Sequence, residues 1–452
     1  MTDIERVWAA IDERFERYVE QLTELCRLRS RREEPEGMLA TADYLERLLD
    51  TLGADVQAVE VGGAYPYLLA DIGTGPKTLL NFNHYDVEVE PPGPDELWTT
   101  PPYEPSIRDG KFFARGVADD KAALLSRIHA CDAFKDAGLE VPVRVKFLLE
   151  GKRNLGAPAL ADLIEQHADW LSADGALWEN SWSDFDGRPL LKFGEKGILY
   201  LELHLRSIDR ALTSQNAALL PQAAASVARA AASLTETVDG AHIPGFQDGI
   251  ETWSPAAQKG LQELPFDPEF LIGRAGAAAR SRIESEPNPS AAIRTKPTIV
   301  LSWLHAGPPA GSVALGVPAE AAAGIEIRLV PGQTTAEVLE VVTQFLKERG
   351  LGEIAITVRR IGEPELTSPE GSFAQVVIDT ARVAYAAEPI LEPTTVWIGT
   401  RSLVAAGGMP IVGVGIGRPD CSVDGPNEHI LLEDYRLALR HLTLLMHRLG
   451  SS

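Results

Sequence analysis

Strand-like and helix-like segments alternate along the first 180 residues and again after residue 364, and this alternation is the feature that most constrains the fold. The run Thr78-Leu-Leu-Asn-Phe82 precedes a helical pattern over about 119–136, and Val143-Arg-Val-Lys-Phe-Leu-Leu149 precedes another near 159–167. Such alternation is typical of a mainly parallel sheet with helices on both faces. We therefore expect an α/β fold, opened by an amphipathic helix over residues 4–28.

The middle of the chain has a different pattern. Strands and helices there follow the order β-α-β-β-α-β, which indicates a separate ferredoxin-like α+β unit. Its predicted elements are a strand at 198–205, a helix over 217–234, strands at 298–305 and 324–330, a helix over 334–349 and a strand at 353–361. About 60 residues rich in Pro, Gly and Ala separate the first helix from the second strand and have no assignable pattern. The sequence predicts a larger domain in two parts, 1–197 and 364–452, with a smaller domain, 198–363, inserted between them.

Charge and cysteine content exclude several classes of function. The chain has 42 basic and 65 acidic residues, a formal net charge of −23, which opposes binding to nucleic acid or to an anionic membrane. The N-terminus is charged, and no run of about 18 apolar residues occurs, so a cytoplasmic protein with a small-molecule substrate is expected. The three cysteines are too few and too scattered for a disulfide framework or a cysteine-only zinc site.

Polar residues follow four of the predicted strands. They are His84-Tyr-Asp86, Glu150-Gly-Lys-Arg-Asn154, Glu179-Asn180 and Asp424-Gly-Pro-Asn-Glu-His429. In open α/β sheets, ligands bind beyond the carboxyl ends of the strands, so these residues are expected to converge. The pair Asp119-Asp120 joins them at the start of a helix.

One imidazole and two carboxylates form a plausible zinc site. His84, Asp119 and Glu179 are the candidate ligands, and Asp86, two residues along the strand from His84, is the candidate that orients its ring. Simpler interpretations stay open for single residues. Asp119 is also a favoured residue type for a helix N-cap, and Glu179 alone is more often a solvated loop carboxylate than a ligand.

Three longer segments resemble a known family. They are Leu80-Asn-Phe-Asn-His-Tyr-Asp-Val87, Leu97-Trp-Thr-Thr-Pro-Pro-Tyr-Glu-Pro-Ser-Ile-Arg-Asp-Gly-Lys111 and Ala114-Arg-Gly-Val-Ala-Asp-Asp-Lys121. Together with Gly194-Glu-Lys-Gly197 and Pro426-Asn-Glu-His-Ile430, they resemble the co-catalytic zinc peptidases and deacylases. That family includes carnosinase-type dipeptidases, carboxypeptidase G, acetylornithine deacetylase and succinyl-diaminopimelate desuccinylase. The resemblance implies a catalytic domain with an inserted lid that often mediates dimerisation, and hence a homodimer.

The resemblance also implies a metal site, of which this chain matches one half. Asp119 matches an aspartate that bridges two metals, His84 matches a histidine ligand, and Glu179 is the best match to an acidic ligand, with Asn180 as the alternative. The family's paired glutamates, a general base and a second-metal ligand, match Arg153 and Asn154.

Other family positions have changed as well. A further ligand histidine matches Asp424, and a lid histidine matches Leu212. A guanidinium, with a pKa above about 12, cannot act as the base that activates water. Arg153 is instead expected to add a fixed positive charge that pairs with Asp119, Asp424 or a substrate carboxylate.

Substrate-binding candidates come from the lid and from one turn. Arg328 matches the family's substrate-carboxylate arginine, although a surface ion pair is the alternative, and His305 ends a lid strand beside Gly307. The family's Gly-Gly-Ser turn reads Trp397-Ile-Gly-Thr-Arg401, which makes Gly399 and Arg401 further candidates.

Three functions are open at this point. The first is an enzyme that uses one divalent metal ion, zinc or manganese, or none, on a small amide, ester, peptide or amino-acid-like substrate. Ordinary hydrolysis is doubtful for it, a repurposed biosynthetic reaction is an option, and Asp424 or Asp120 would replace the lost base. The second is a non-catalytic binding or regulatory protein. The third is an intact dipeptidase or N-acyl amino acid deacylase.

Overall fold

The computed structural model describes residues 1–63, 65–87, 97–151, 158–179, 181–308, 316–405 and 408–451. Arg153, Asn154 and Asn180 lie outside these ranges, so the predictions made for them stay predictions. Within the described part, no helix is both long enough and apolar enough to cross a membrane.

Amphipathic repeats and capping residues explain where the helices form. The first helix follows Thr2, whose side chain accepts a hydrogen bond from Glu5 N (3.4 Å) while Thr2 N donates to Glu5 Oε2 (2.7 Å); this reciprocal pair is a capping box. Its apolar residues at helical spacing are buried, which confirms the helix predicted over 4–28. The helices are α1 (Asp3–Arg27), α2 (Pro35–Thr51), α3 (Ala122–Asp136), α4 (Pro158–Gln166), α5 (Ala168–Leu171), α6 (Ala223–Leu234), α7 (Pro255–Glu263), α8 (Pro268–Ala275), α9 (Arg280–Ser285), α10 (Pro289–Thr295), α11 (Thr335–Glu348), α12 (Ser372–Tyr385), α13 (Arg401–Val404) and α14 (Leu432–Gly450).

The strands coincide with the apolar runs of the sequence. They are β1 (Asp55–Val59), β2 (Tyr67–Ile72), β3 (Thr78–His84), β4 (Ser106–Arg108), β5 (Lys111–Phe113), β6 (Arg144–Glu150), β7 (Gly175–Trp178), β8 (Leu190–Lys192), β9 (Gly194–Glu195), β10 (Gly197–Arg206), β11 (Thr298–Ala306), β12 (Glu320–Leu329), β13 (Ala355–Gly362), β14 (Glu365–Leu366), β15 (Ile390–Glu392), β16 (Ile411–Gly413) and β17 (His429–Leu431). Strand β16 is three residues long and ends at Gly413.

The large sheet confirms the predicted fold class. Within the described residues its strand order is β1-β2-β6-β3-β7-β16-β8-β15. Strand β3 runs parallel to both β6 and β7, and β16 runs parallel to β7. Helices α1, α3, α12 and α14 pack with one another on one face, and Leu160 and Leu163 of α4 pack on the other. The parallel centre places the carboxyl ends of β3, β6 and β7 at one edge.

The small sheet confirms the ferredoxin-like unit. Its strand order is β11-β12-β10-β13, with every neighbouring pair antiparallel. Helices α6 and α11 cover one face and bury the alternate residues Leu199, Leu201 and Leu203 of β10. The residues that alternate with these leucines are polar and lie on the opposite face of the sheet, as expected for a half-buried strand. The short ribbon of β9 and β14 lies where the chain enters and leaves this sheet.

Two segments differ from expectation. The helix predicted over 217–234 begins only at Ala223, since Pro221 lacks the N–H that a helix interior needs. The unassigned segment after it contains the short helices α7 to α10. Helix α7 packs on β15 so closely that a Cβ at Gly260 would lie 1.8 Å from Leu391 O. This contact requires glycine.

Candidate metal centre

Three strand ends bring the central residues together. His84 ends β3 and pairs in register with Glu150 at the end of β6, while Glu179 directly follows β7 on the other side. All three side chains are buried. This arrangement agrees with the expectation that the polar residues after these strands converge.

His84 lies between acidic residues on both sides of its ring. Its Nε2 is 3.0 Å from Asp119 Oδ1 and 3.7 Å from Glu179 Oε2. Burial disfavours the charged imidazole, but attraction to Glu179 and Asp119 outweighs it and raises the pKa of His84 well above its usual value. The pocket therefore attracts positive charge at Nε2.

Asp86 lies where it can orient the His84 ring. Its Oδ1 is 3.2 Å from His84 Nδ1, and its backbone oxygen is 3.0 Å away. Arg32 Nε donates to Asp86 Oδ2 at 2.8 Å, and the hydrogen bonds and charges of His84 and Arg32 outweigh burial and lower the pKa of Asp86. With Nδ1–H donated to this carboxylate, Nε2 is left to bind a metal. Sequence reasoning missed Arg32, which belongs to no strand-end motif.

A tight turn at Val117–Lys121 presents Asp119 and Asp120. Glu428 holds the turn, because its carboxylate accepts hydrogen bonds from the backbone N–H groups of Gly116 (2.8 Å), Ala118 (2.8 Å) and Asp119 (3.3 Å). Helix α3 starts after the turn and has no side-chain cap. The alternative that Asp119 is a simple N-cap is therefore wrong.

Asp120 is closer to the centre than the sequence suggested. One ligand atom each of His84, Asp120 and Glu179 lies within 4.8 Å of the others, a spacing that could hold a metal ion. Asp120 Oδ2 accepts from Asn83 Nδ2 at 2.5 Å, whereas its Oδ1 is buried and has no hydrogen-bond partner among the described residues. Burial, reinforced by Glu179 and Asp119, raises the pKa of Asp120 to about 7. A histidine with carboxylates is a donor set that fits zinc or manganese.

Asp424, the candidate replacement base, forms an ion pair. Its Oδ1 lies 3.1 Å from Arg115 Nη1, and the same guanidinium nitrogen is 3.1 Å from Glu428 Oε2. Arg115 is fully buried, whereas the Asp424 side chain is 35 % exposed. Its predicted partner, Arg153, lies outside the described residues. Sequence reasoning did not anticipate Arg115, although the residue lies inside a quoted motif.

The lid candidates are separate from this group. Arg328 Nε donates to Glu326 Oε1 at 2.6 Å, two residues away on β12, which matches the surface ion pair that was the alternative interpretation. His305 is exposed near the end of β11. Among the described residues, neither forms a hydrogen bond or ion pair with His84 or its carboxylate neighbours.

The arginine in the turn at 397–401 has a structural role. Arg401 is 1 % exposed, forms a 2.8 Å ion pair with Glu365, and donates to Ile411 O at 2.7 Å. Direct substrate contact, as predicted, does not fit this burial. A Cβ at Gly399 would lie 2.4 Å from Glu195 Oε2, so glycine is required because the turn passes close to Glu195 of the same chain.

Comparisons with known proteins define the class of this fold and site. The sequence profile described as Peptidase family M20/M25/M40 matches residues 82–448. The chain therefore belongs to this peptidase family, which confirms the family resemblance.

Individual relatives are more distant. The chain is 29 % identical over 231 residues to mouse Beta-Ala-His dipeptidase, a match that spans 46 % of each chain and so about half of that relative's length. It is 23 % identical over 366 residues to the Cys-Gly metallodipeptidase dug1 of Schizosaccharomyces pombe, covering 76 % of this chain and 75 % of the relative. The structure of the M20 family metallo-carboxypeptidase Sso-CP2 from Sulfolobus solfataricus superposes with a TM-score of 0.80 at 28 % identity, covering 96 % of this chain and 99 % of that one.

Proposed function

We propose that this chain acts on a small amide, peptide or amino-acid-like substrate through a single-metal site formed by His84, Asp119 and Glu179, with Asp120 beside them. The observation that carries this proposal is the buried group of one imidazole and neighbouring carboxylates at the carboxyl edge of a parallel sheet. The ion is zinc or manganese. When bound, it polarises the carbonyl of the substrate.

The remaining roles belong to side chains around this group. Asp86 and Arg32 hold the His84 ring so that Nε2 faces the pocket. Asp120 and Asp424 are the proposed proton acceptors, and Asp424 is positioned by its ion pair with Arg115. Arg153 contributes a fixed positive charge in place of a base. Arg328 binds a substrate carboxylate when its contact with Glu326 is exchanged, and His305 is its proposed companion on the lid.

Metal content tests the proposal directly. Protein purified without chelator is analysed for zinc and manganese as wild type, as His84→Ala, and as His204→Ala, whose exposed histidine pairs with Glu320 on the lid sheet. We expect about one ion per wild-type chain, none in His84→Ala and an unchanged value in the control. Absence of metal from the wild type, or its retention in His84→Ala, would refute the site.

An intact dipeptidase or N-acyl amino acid deacylase is the second candidate. The names of the two relatives described above, a Beta-Ala-His dipeptidase and a Cys-Gly metallodipeptidase, favour it. Its signature is about two ions per chain together with rapid, chelator-sensitive hydrolysis of β-Ala-His, Cys-Gly or an N-acyl amino acid. One ion and slow or absent hydrolysis of the same panel favour the single-metal enzyme, including one with a biosynthetic reaction.

A non-catalytic protein is the third candidate, favoured by the occupation of Asp424 in its ion pair with Arg115. Arg153→Ala and Asp424→Ala separate it from an enzyme once any turnover has been found. Loss of turnover with the fold retained supports a repurposed enzyme. If both variants turn over the substrate like the wild type, these two residues have no catalytic role.

We also propose that the domain division is 1–197 with 364–452 for the catalytic-type domain and 198–363 for the lid, and that the lid forms a homodimer. The edge strand β11 supports this, since Val300, Trp303 and Leu304 are each exposed by about 40 % or more of their surface. An exposed apolar edge readily pairs with another strand. Light scattering should show a dimer for the wild type and a monomer for Leu304→Lys. A monomer in both cases would contradict the proposal.

A further inference from the structure

Residues 252–297 lie within the sequence of the lid, yet they pack against the large sheet, and we name this segment the strap. Its helix α7 packs on β15, the last strand in the order of that sheet. Leu261 and Leu264 of the strap form a buried apolar cluster with Leu190 of β8 and Ile390 of β15. By covering β15, the strap removes an edge that could otherwise pair with another strand.

Two ion pairs also hold the strap on the large sheet. Glu263 Oε2, at the end of α7, lies 2.7 Å from Nη2 of Arg188, which precedes β8. Arg294 Nε, on α10, lies 2.7 Å from Oε1 of Glu392, the last residue of β15. The side chains of Arg294 and Glu392 are 12 % and 4 % exposed, and breaking a buried pair from one side is strongly destabilising. The strap is therefore held by specific polar contacts as well as by apolar packing.

Both ends of the strap are anchored in the lid. Before the strap, Phe246 is 1 % exposed in the core under the small sheet, and its carbonyl oxygen accepts from Gln333 Nε2 at 2.6 Å. Glu251 N donates to Pro331 O at 2.9 Å. After the strap, the chain enters β11 directly. The segment therefore leaves the small sheet, crosses to the large one and returns.

The strap also contacts the connection between the two sheets. The chain enters and leaves the small sheet through the ribbon of β9 and β14, two residues per strand, next to Gly197 and Gly362. Domain rotation is usually absorbed by a few residues at such a connection. Lys196 lies in it and is 4 % exposed, and its Nζ donates to Ile293 O (3.2 Å) and Lys296 O (2.6 Å) at the end of α10. Rotation at the ribbon would strain these contacts.

We propose that the strap is a conformational lock that fixes the lid in one orientation against the catalytic-type domain. Because the small sheet holds its ends and the large sheet holds its middle, rotation of the lid requires the Leu261 cluster and both ion pairs to separate. The lid candidates Arg328 and His305 then keep one position relative to the large sheet. The inference goes beyond the proposed function and does not depend on a bound metal ion.

Distances between paired spin labels test the lock. The three native cysteines are buried, so the labels attach to cysteines introduced as Asp43→Cys on α2 and Ala336→Cys on α11, where both residues are exposed. Double electron–electron resonance is recorded for the labelled wild type, for Leu261→Asp/Leu264→Asp and for the control Leu271→Asp. Leu271 is also an apolar residue of the strap, but it is 37 % exposed and lies outside the buried cluster.

The width of the distance distribution is the readout. We expect one narrow distribution for the wild type and for Leu271→Asp, and one about twofold broader for Leu261→Asp/Leu264→Asp. A broad distribution in the wild type, or an unchanged narrow one in the double variant, would overturn the lock. Leu261→Ala/Leu264→Ala replaces the double aspartate variant if that protein does not fold, and the same two outcomes decide. The measurement needs no metal ion, so failure of the proposed metal centre would leave its result intact.

Discussion

Arg127 is predicted to hold together the strand ends that carry the metal centre. It lies on α3, is 1 % exposed, and spreads its guanidinium over the carboxyl ends of three strands. Nη1 donates to Phe82 O (2.7 Å), Asn83 Oδ1 (2.7 Å) and Leu177 O (3.1 Å). Nη2 donates to Trp178 O (2.6 Å) and Val414 O (3.1 Å). Replacing Arg127 with methionine keeps most of the volume and removes all five hydrogen bonds.

The expected loss of stability follows from these contacts. Five buried acceptors lose a charged donor, and at about 1 kcal/mol each, the low end of the usual range, the loss is about 5 kcal/mol. Burial lowers the pKa of Arg127 to about 10, so the group remains charged at pH 7. We therefore expect Arg127→Met to lower the free energy of unfolding by about 5 kcal/mol.

Urea unfolding of the metal-free protein measures this loss. Arg144→Met is the matched control, because the guanidinium of Arg144 also donates hydrogen bonds, to Asp71, but its side chain is 48 % exposed and its loss should cost less than about 1 kcal/mol. Arg127→Lys should recover less than half of the loss, since one ammonium group cannot reach acceptors on three strands. Equal losses in Arg127→Met and Arg144→Met would refute the reasoning.

Three further perturbations have defined outcomes. Lowering the pH from 7 to 5 should destabilise the fold by about 2 kcal/mol through His129. Burial lowers the pKa of His129 to about 3, below its unfolded value near 6.5, so its contribution to stability is present above pH 6.5 and is lost as the pH falls. Urea unfolding of His129→Gln should lack this part of the pH dependence, and the same pH dependence in wild type and variant would contradict it. Asp86→Asn should weaken Zn²⁺ binding about 10–100-fold in calorimetry by releasing the His84 ring, and unchanged affinity would show that Asp86 does not orient the ring. Gly260→Ala should lower the free energy of unfolding by about 1–3 kcal/mol by pushing α7 off β15; an unchanged urea midpoint would count against that contact.

Local periodicity accounts for the elements that the sequence predicted. Helix α1 buries apolar residues at helical spacing, whereas strands β3, β6 and β7 are short runs that are buried almost continuously, so both kinds of element could be inferred from the local pattern. Parallel strand ends then bring His84 and Glu179 to one edge without knowledge of any contact. The helices α7 to α10 could not be inferred in this way, because they are short and separated by breaks that leave little periodic pattern.

Pairing between distant residues could not be predicted from the sequence. Arg401 looked like a substrate contact, yet it is buried against Glu365. Asp424, the candidate proton acceptor, pairs with Arg115, more than 300 residues earlier in the chain, and its sequence motif does not indicate that partner. The sequence shows which charged residues follow the strand ends and therefore lie near a site. Only the tertiary fold determines which of those charges are already neutralised by a protein partner, and this decides what remains for a ligand.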